Sequence, residues 1–536
     1  MQNNHWFKTG FLSFAASLLL IGCASEPTTE QEENAGDAGG EAIGDSGGGD
    51  LILGVLSDIS MLDPHTSSDV PSGAVQSNIY ETLVKFNSDM ELEPLLAESW
   101  EAVEEDVWEF RLQEGVTFHD GSELNGDVVK ANIERILDET TASPRAILFE
   151  IIEKIEVVDS HTVRMKTEQP FAPLPAHFAH YASSMISLKA IEADQAAVES
   201  GEQPGTYINE HPYGTGAFTF ENWNPGSEVV LSRFDDYWGE PAHVDTATFR
   251  VIPEDLTRLA ELETGGVHII DPVQASDRAR VENTDGMNLY QRNAASITYM
   301  GFNVQKEPLD DELVRQAIAL ALDKDAMLQG VLDGTGEPAV GPINETNFGF
   351  SSEVAGVEQD VERARELLAE AGYEEGFSTT IWTNDNRERM DIAEIAQANL
   401  ADVGIDANIE VVEWGAYLEL TGSGNHDLFI LGLSLGTGDA DYPMHMLFHS
   451  ENIGETGNRS FFQDEAFDAM LHEARIEQDE ETRLQMYVEA TEYLNEKVPT
   501  VFLYHPDHLM GYRDEVQGFW ADASGIYQLK DVSLEQ

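Results

Sequence analysis

The chain has 536 residues, 41% of them hydrophobic, and a single core stops growing near about 250–300 residues, so two or three domains are expected. Acidic residues outnumber basic ones 100 to 29, a formal charge of −71, which excludes nucleic acid and anionic lipid as partners of the folded surface and reads as adaptation to a saline or alkaline habitat. One cysteine excludes any disulfide within the chain.

In chain order, the first signal is residues 11–22, mostly apolar, too short to span a bilayer, and preceded by His5 and Lys8. That is the pattern of a secretory signal peptide, and it closes on Leu20-Ile21-Gly22-Cys23. The ending resembles the lipobox of bacterial lipoproteins, which implies a diacylglycerol on Cys23 after cleavage of residues 1–22. Residues 24–50 hold eight acids, no basic residue and many glycines. Such a segment buries too little to offset ordering entropy, so residues 23–50 are predicted to be a disordered acidic tether. The fold is expected to begin near Leu51.

From there strand and helix patterns alternate. Trp108, Phe110 and Leu112 predict a half-buried strand. Ile155–Val157 and Val163–Met165 flank Asp159-Ser160-His161 as a hairpin. Helical periods run through Val361, Ala364, Leu367 and Leu368 to a stop at Gly372, and through Ile392, Ala396 and Leu400 to Gly404. The second helix lies between strand-like residues 377–383 and 405–411, a βαβ unit that predicts a parallel sheet. Residues 427–433 read as another buried strand.

Gly432-Leu433-Ser434-Leu435-Gly436 fits G-x-S-x-G, a motif that requires a strand before the serine and a helix directly after it. The following Thr437-Gly438-Asp439-Ala440-Asp441-Tyr442-Pro443 is loop-like and is expected to start no helix, which argues against a hydrolase using Ser434. His177 with His180, and His445 with His449, have spacings that could share a metal. Neither pair has the third and fourth ligands of a zinc site, so solvated or satisfied histidines are expected. No Walker loop or G-x-G-x-x-G is present, and no nucleotide or other cofactor is expected.

Several segments, read in order, resemble the solute-binding proteins of peptide-type ABC transporters. Leu96-Ala97-Glu98-Ser99-Trp100, Trp108-Glu109-Phe110-Arg111-Leu112 and Gly115-Val116-Thr117-Phe118-His119-Asp120-Gly121 are similar to the family's hairpin and turn. Tyr213-Gly214-Thr215-Gly216-Ala217-Phe218 resembles its P-x-G-T-G loop. Gly301-Phe302-Asn303, Val314-Arg315-Gln316-Ala317 and Ala321-Leu322-Asp323-Lys324 resemble its central helix region. The run from Phe377 to Asn386 and the run from Gly432 to Asp441 look most like the glutathione-binding branch. Two positions depart from the pattern: Leu433 stands where the family usually has tryptophan, and Asp439 where the branch usually has glutamate.

The resemblance implies an α/β, two-lobed fold of the periplasmic-binding-protein type II-like class, with a hinge and an extra subdomain inserted in lobe one. Lobe one is expected over residues 51–291, with the insert at about 83–208, lobe two over 292–498, and a return to lobe one over 499–536. It implies capture of a short peptide or glutathione outside the cell by a monomer, and delivery to the ABC permease without chemistry on the ligand. A peptide site needs an acid for the ammonium end and a cation for the carboxylate end, because unpaired buried charge is costly. Asp439, with Asp441 in reserve, is the expected ammonium partner. Arg145, Arg387 and Arg459 are candidates for the carboxylates, Trp382, Asn384 and Asn386 for wall and amide contacts, and Ser72 for a donor from lobe one. A metal or nickel-chelate carrier of the same fold, a secreted serine hydrolase, and a non-transport adhesin or sensor remain as alternatives.

Overall fold

The computed structural model describes residues 48–454 and 457–535. The signal-like run, Cys23 and the expected tether up to residue 47 lie outside the described residues. The first strand, Asp50–Val55, buries Leu51 and Leu53 in the core of a seven-stranded sheet. Strand order in that sheet is Met287–Asn293, Asp507–Arg513, Ile269–Asp271, Asp50–Val55, Thr246–Val251, Glu228–Arg233 and Phe218–Asn224. A six-stranded sheet follows the order Glu337–Pro338, Thr500–His505, Ser296–Phe302, Leu428–Ser434, Phe377–Asn384 and Ile405–Val412. Each sheet has its own apolar core, the second built on Met300, Phe302, Ile381, Ile405 and Leu428. These are the two lobes.

The sequence-predicted βαβ unit is present. Phe377–Asn384 pairs in parallel with Ile405–Val412, Phe377 opposite Ile405, and the helix Arg387–Asp402 packs Ile392, Ala393, Ala396 and Leu400 between them. The Asn386 side chain starts that helix by accepting from Arg389 N, one of the N–H groups that the first turn leaves without a helical partner. The helix Val361–Glu370 is likewise capped by Asp360 and buries Ala364, Leu367 and Leu368.

Between the first two long stretches of the seven-stranded sheet lies a separate antiparallel sheet, Ala97–Glu104, Val107–Leu112, Thr162–Thr167 and Ile152–Asp159. It closes over Phe110, Leu112, Val163 and Met165 with the helix Gly126–Leu137 on one face. A buried ion triad ties this insert to lobe one. Arg135 donates to Asp63 at 3.1 and 2.7 Å and to Asp194 at 3.0 Å. The loop containing Gly214 and Gly216 seats against the end of the helix Val70–Ile79, where Gly216 N donates to Ile79 O at 2.9 Å. A side-chain carbon at Gly216 would lie 2.7 Å from Asn78 O, so this approach admits only glycine.

Strand directions locate the cleft. Met287–Asn293 and Ile269–Asp271 both run antiparallel to Asp507–Arg513, and Ile269–Asp271 and Thr246–Val251 run parallel to Asp50–Val55. The chain leaves Asn293 directly into Ser296–Phe302 of lobe two, so the C-terminal ends of all these parallel strands face lobe two. In lobe two, Ser296 stands opposite Ser434 in an antiparallel pair, and Leu428–Ser434 is parallel to Phe377–Asn384. The C-terminal ends of those strands therefore face lobe one. The returning strand Thr500–His505 pairs with Ser296–Phe302. The chain thus recrosses to lobe one after His505, later than the expected residue 499, because the buried run Val501–Tyr504 completes the core of lobe two.

Candidate ligand-binding cleft

Ligand sites in open α/β sheets collect at the C-terminal ends of parallel strands, where loops and helix N-termini meet. From lobe one, this edge presents the loop after Val55 and the start of the helix Val70–Ile79. From lobe two, it presents the residues after Asn384, the Glu413–Trp414 corner and the loop after Ser434.

Arg389 occupies the lobe-two edge. Its guanidinium donates to Asn384 Oδ1 at 2.9 Å and stands 5.6 Å from the ring centroid of Trp414, itself 43% exposed. Asn386 fixes the backbone of the same residue. Two of the residues expected to touch ligand, Asn384 and Asn386, thus converge on an arginine that sequence reasoning passed over. Among the described residues no carboxylate comes within ion-pair distance of Arg389.

Arg145 is the second such cation. It donates to Ser68 O at 2.8 Å and to the Tyr181 hydroxyl at 3.0 Å, with its charge 5.8 Å from the Tyr181 ring centroid. Its Nε is buried without a hydrogen-bond partner, and among the described residues it too has no carboxylate at ion-pair distance. Arg387, by contrast, points outward with its side chain 87% exposed and pairs with Asp391 one turn along the helix at 3.2 Å. Arg459 is buried and donates to Gly454 O at 3.1 Å within its own loop.

The acids expected to hold an ammonium are already compensated. Arg483 donates to both oxygens of Asp439 at 2.8 and 2.6 Å, and Arg475 to both oxygens of Asp441 at 2.9 and 2.8 Å. Asp439 Oδ1 also accepts from Asp441 N at 2.9 Å. Arg475 holds the Asp441 carboxyl well below the usual carboxylate range against the opposing effect of burial. On the lobe-one edge two carboxylates have no cation at ion-pair distance among the described residues. Asp58 accepts from Trp223 Nε1 at 3.1 Å and Gly226 N at 2.6 Å, and Asp69 accepts from Ser72 N at 2.9 Å and from the Ser60 hydroxyl.

The Ser72 hydroxyl is buried and accepts from Ser60 N at 2.9 Å, so it fastens the lobe-one loop. Trp382 is half-buried and donates to Thr380 Oγ1 at 3.0 Å. Ser434 ends its strand exposed, and no histidine bonds it among the described residues. The stretch expected to start no helix does start one, Asp441–Phe448, with Pro443 tolerated in the first turn; it begins too late to form a nucleophile elbow. His445, His449 and Glu451 cluster within 4.8 Å, but Arg475 stands 3.2 Å from His445 Nε2, and burial, with that guanidinium beside it, depresses the imidazole to about 3. A metal there would have to displace a guanidinium. Burial likewise holds His180 well below its ordinary value, where it packs beside Gly436 and Tyr181.

The sequence model of bacterial extracellular solute-binding proteins, family 5 Middle, matches residues 91–455. The chain belongs to family 5 of these proteins. The glutathione-binding protein GsiB of Escherichia coli O157:H7 is 30% identical over 496 residues, covering 91% of this chain and 94% of its own length. The dipeptide-binding protein of Escherichia coli strain K12 is 31% identical over 483 residues, covering 85% and 89%. Among solved structures, the periplasmic binding protein DppA of Helicobacter pylori, in complex with the peptide STSA, matches with a TM-score of 0.79 at 30% identity, over 91% of this chain and 98% of that one. The family consists of extracytoplasmic solute-binding proteins, and its structures share the two lobes. In this chain Asp439 and Asp441 are neutralised by arginines, while among the described residues Arg389 and Arg145 have no acid at ion-pair distance.

Proposed function

We propose that this family 5 chain captures a short peptide or glutathione in the cleft and delivers it to the permease of an ABC importer, held at the cell membrane through a lipid on Cys23. One observation carries the reading: in a chain with 100 acids and 29 lysines and arginines, Arg389 stands at the cleft edge, oriented by Asn384 and Asn386, with no carboxylate at ion-pair distance among the described residues. A guanidinium offers paired donors in the plane that a carboxylate accepts. The acidic loop of lobe one, with Asp58 and Asp69, suits the ammonium end. Glutathione has two carboxylates and one ammonium, which Arg389, Arg145 and that loop would match. Closing the lobes stabilises the closed state only to the extent that ligand contacts both edges.

Mass spectrometry of ligand released from natively purified protein tests the class, and a peptide or glutathione is the expected result. A co-purifying metal chelate would overturn it. Calorimetry tests the site: Arg389→Ala should weaken binding by about a hundredfold, the scale of a lost charge-assisted pair, and Arg387→Ala by less than about twofold.

A further inference from the structure

Lobe one has a pocket of about 230 Å³ at the same cleft-facing edge, between the start of the helix Val70–Ile79 and the ends of the strands Asp50–Val55, Thr246–Val251 and Ile269–Asp271. Its mouth carries Leu56 and Val70, 44% and 38% exposed, with Asp58 beside them. Its inner walls are Ile59, Val229 and Phe249, all buried. A cavity of about 150 Å³ with such walls takes a benzene ring, so this one has room for a full side chain. One wall group does not fit an apolar guest. Asp271 lines the pocket, accepts a hydrogen bond from the Tyr527 hydroxyl through one oxygen, and has no cation at ion-pair distance among the described residues. The nearby Arg258 is engaged by Asp255 and the carbonyls of Ile252 and Pro272.

An aspartate inside an apolar pocket is a cost to folding that a leucine-binding pocket would have no use for. We propose that this pocket is a side-chain subsite of the cleft and takes a basic side chain of the lysine type, its methylenes along Ile59, Val229 and Phe249 and its ammonium on the free oxygen of Asp271. The inference rests on the peptide-binding reading and narrows it to peptides bearing a basic residue, which glutathione lacks. Burial raises the Asp271 carboxyl above its ordinary range, and a cation placed beside it would favour the charged form.

The test is calorimetry with tripeptides X-Ala-Ala in which X is lysine, norleucine, glycine or glutamate. Lysine should bind at least about tenfold tighter than norleucine, the scale of one charge-assisted hydrogen bond. Asp271→Asn, which keeps an acceptor for Tyr527, should bring lysine to within about twofold of norleucine and leave norleucine unchanged. Val70→Trp at the exposed mouth should weaken lysine and norleucine but not glycine, and does not depend on the buried aspartate tolerating change. Equal binding of lysine and norleucine, unmoved by Asp271→Asn, would overturn the proposal and leave Asp271 as an anchor for Tyr527. If peptides bind without regard to X, the subsite falls and the peptide reading stands. If no peptide in the set binds, the subsite falls, and glutathione titrated alongside decides the proposed function: no binding of it either overturns that reading too.

Discussion

Arg483 closes on Asp439 with both terminal nitrogens, at 2.8 and 2.6 Å, in a setting where both side chains are under 10% exposed. The same guanidinium donates to Ala474 O and the Tyr487 hydroxyl and lies 4.7 Å from the Phe348 ring centroid. Asp439 is thereby a structural member of lobe two, fixing the loop after Ser434 against the helix Glu480–Lys497. Removing one partner leaves the other charged and buried. Arg483→Met should cost about 3–5 kcal/mol in urea unfolding, and the double variant with Asp439→Leu should recover most of it. Full ligand affinity in any Asp439→Asn protein that remains folded would agree with this role; selective loss of binding at unchanged stability would restore the ammonium assignment.

Several buried histidines contribute to the response to acid, and three of them illustrate it. His65, His426 and His505 are each pushed down to about 4, in every case first by burial. Unfolded, each titrates near about 6.5. Between those values the unfolded chain binds more protons, so stability rises with pH there; it is complete above about 6.5 and is lost as pH falls toward 4. The urea midpoint should therefore be flat from pH 7 to 8 and fall steeply from pH 6 to 4.5. His426→Gln should reduce the proton uptake on unfolding at pH 5 by about one. An unchanged uptake would mean that His426 titrates normally in the fold.

The glycine loop makes a steric prediction. Gly216→Ala places a carbon 2.7 Å from Asn78 O and 2.8 Å from the Ile79 carbonyl carbon. The loop or the helix end must shift, at about 1–3 kcal/mol, the usual scale of overpacking. A melting temperature equal to wild type would show that the loop does not seat on the helix as described.

How much was legible follows from range. The βαβ unit of lobe two was readable because its helix period and stopping glycine are local signals, and pattern alone implied parallel strands. The family's motif segments were also readable, and the structure gives one of them a packing reason: His119, in the turn segment, reaches Gly216 O at 2.9 Å. What sequence could not show is which acids are compensated. Arg475 and Arg483 lie 34 and 44 residues from the aspartates they neutralise. No spacing rule connects them, so Asp439 and Asp441 looked available. Arg389 escaped notice for the converse reason: the fact that singles it out is a missing partner, which only the fold reveals.

The lipid anchor proposed for Cys23 is tested by Cys23→Ser. The variant should be found in the culture medium at wild-type ligand affinity, where the parent fractionates with membranes. Retention of the variant at the membrane would refute the anchor.

The position of the strand Asp50–Val55 has a mechanical consequence. It lies inside the seven-stranded sheet, bonded along all six residues to Thr246–Val251 on one side and along three to Ile269–Asp271 on the other. A protein held by the chain before Asp50 would feel every tug of flow or of a docking partner as shear along this strand, loading its hydrogen bonds together rather than unzipping them one at a time. A pull applied there would enter lobe one and be shared by the hydrogen bonds to both neighbouring strands.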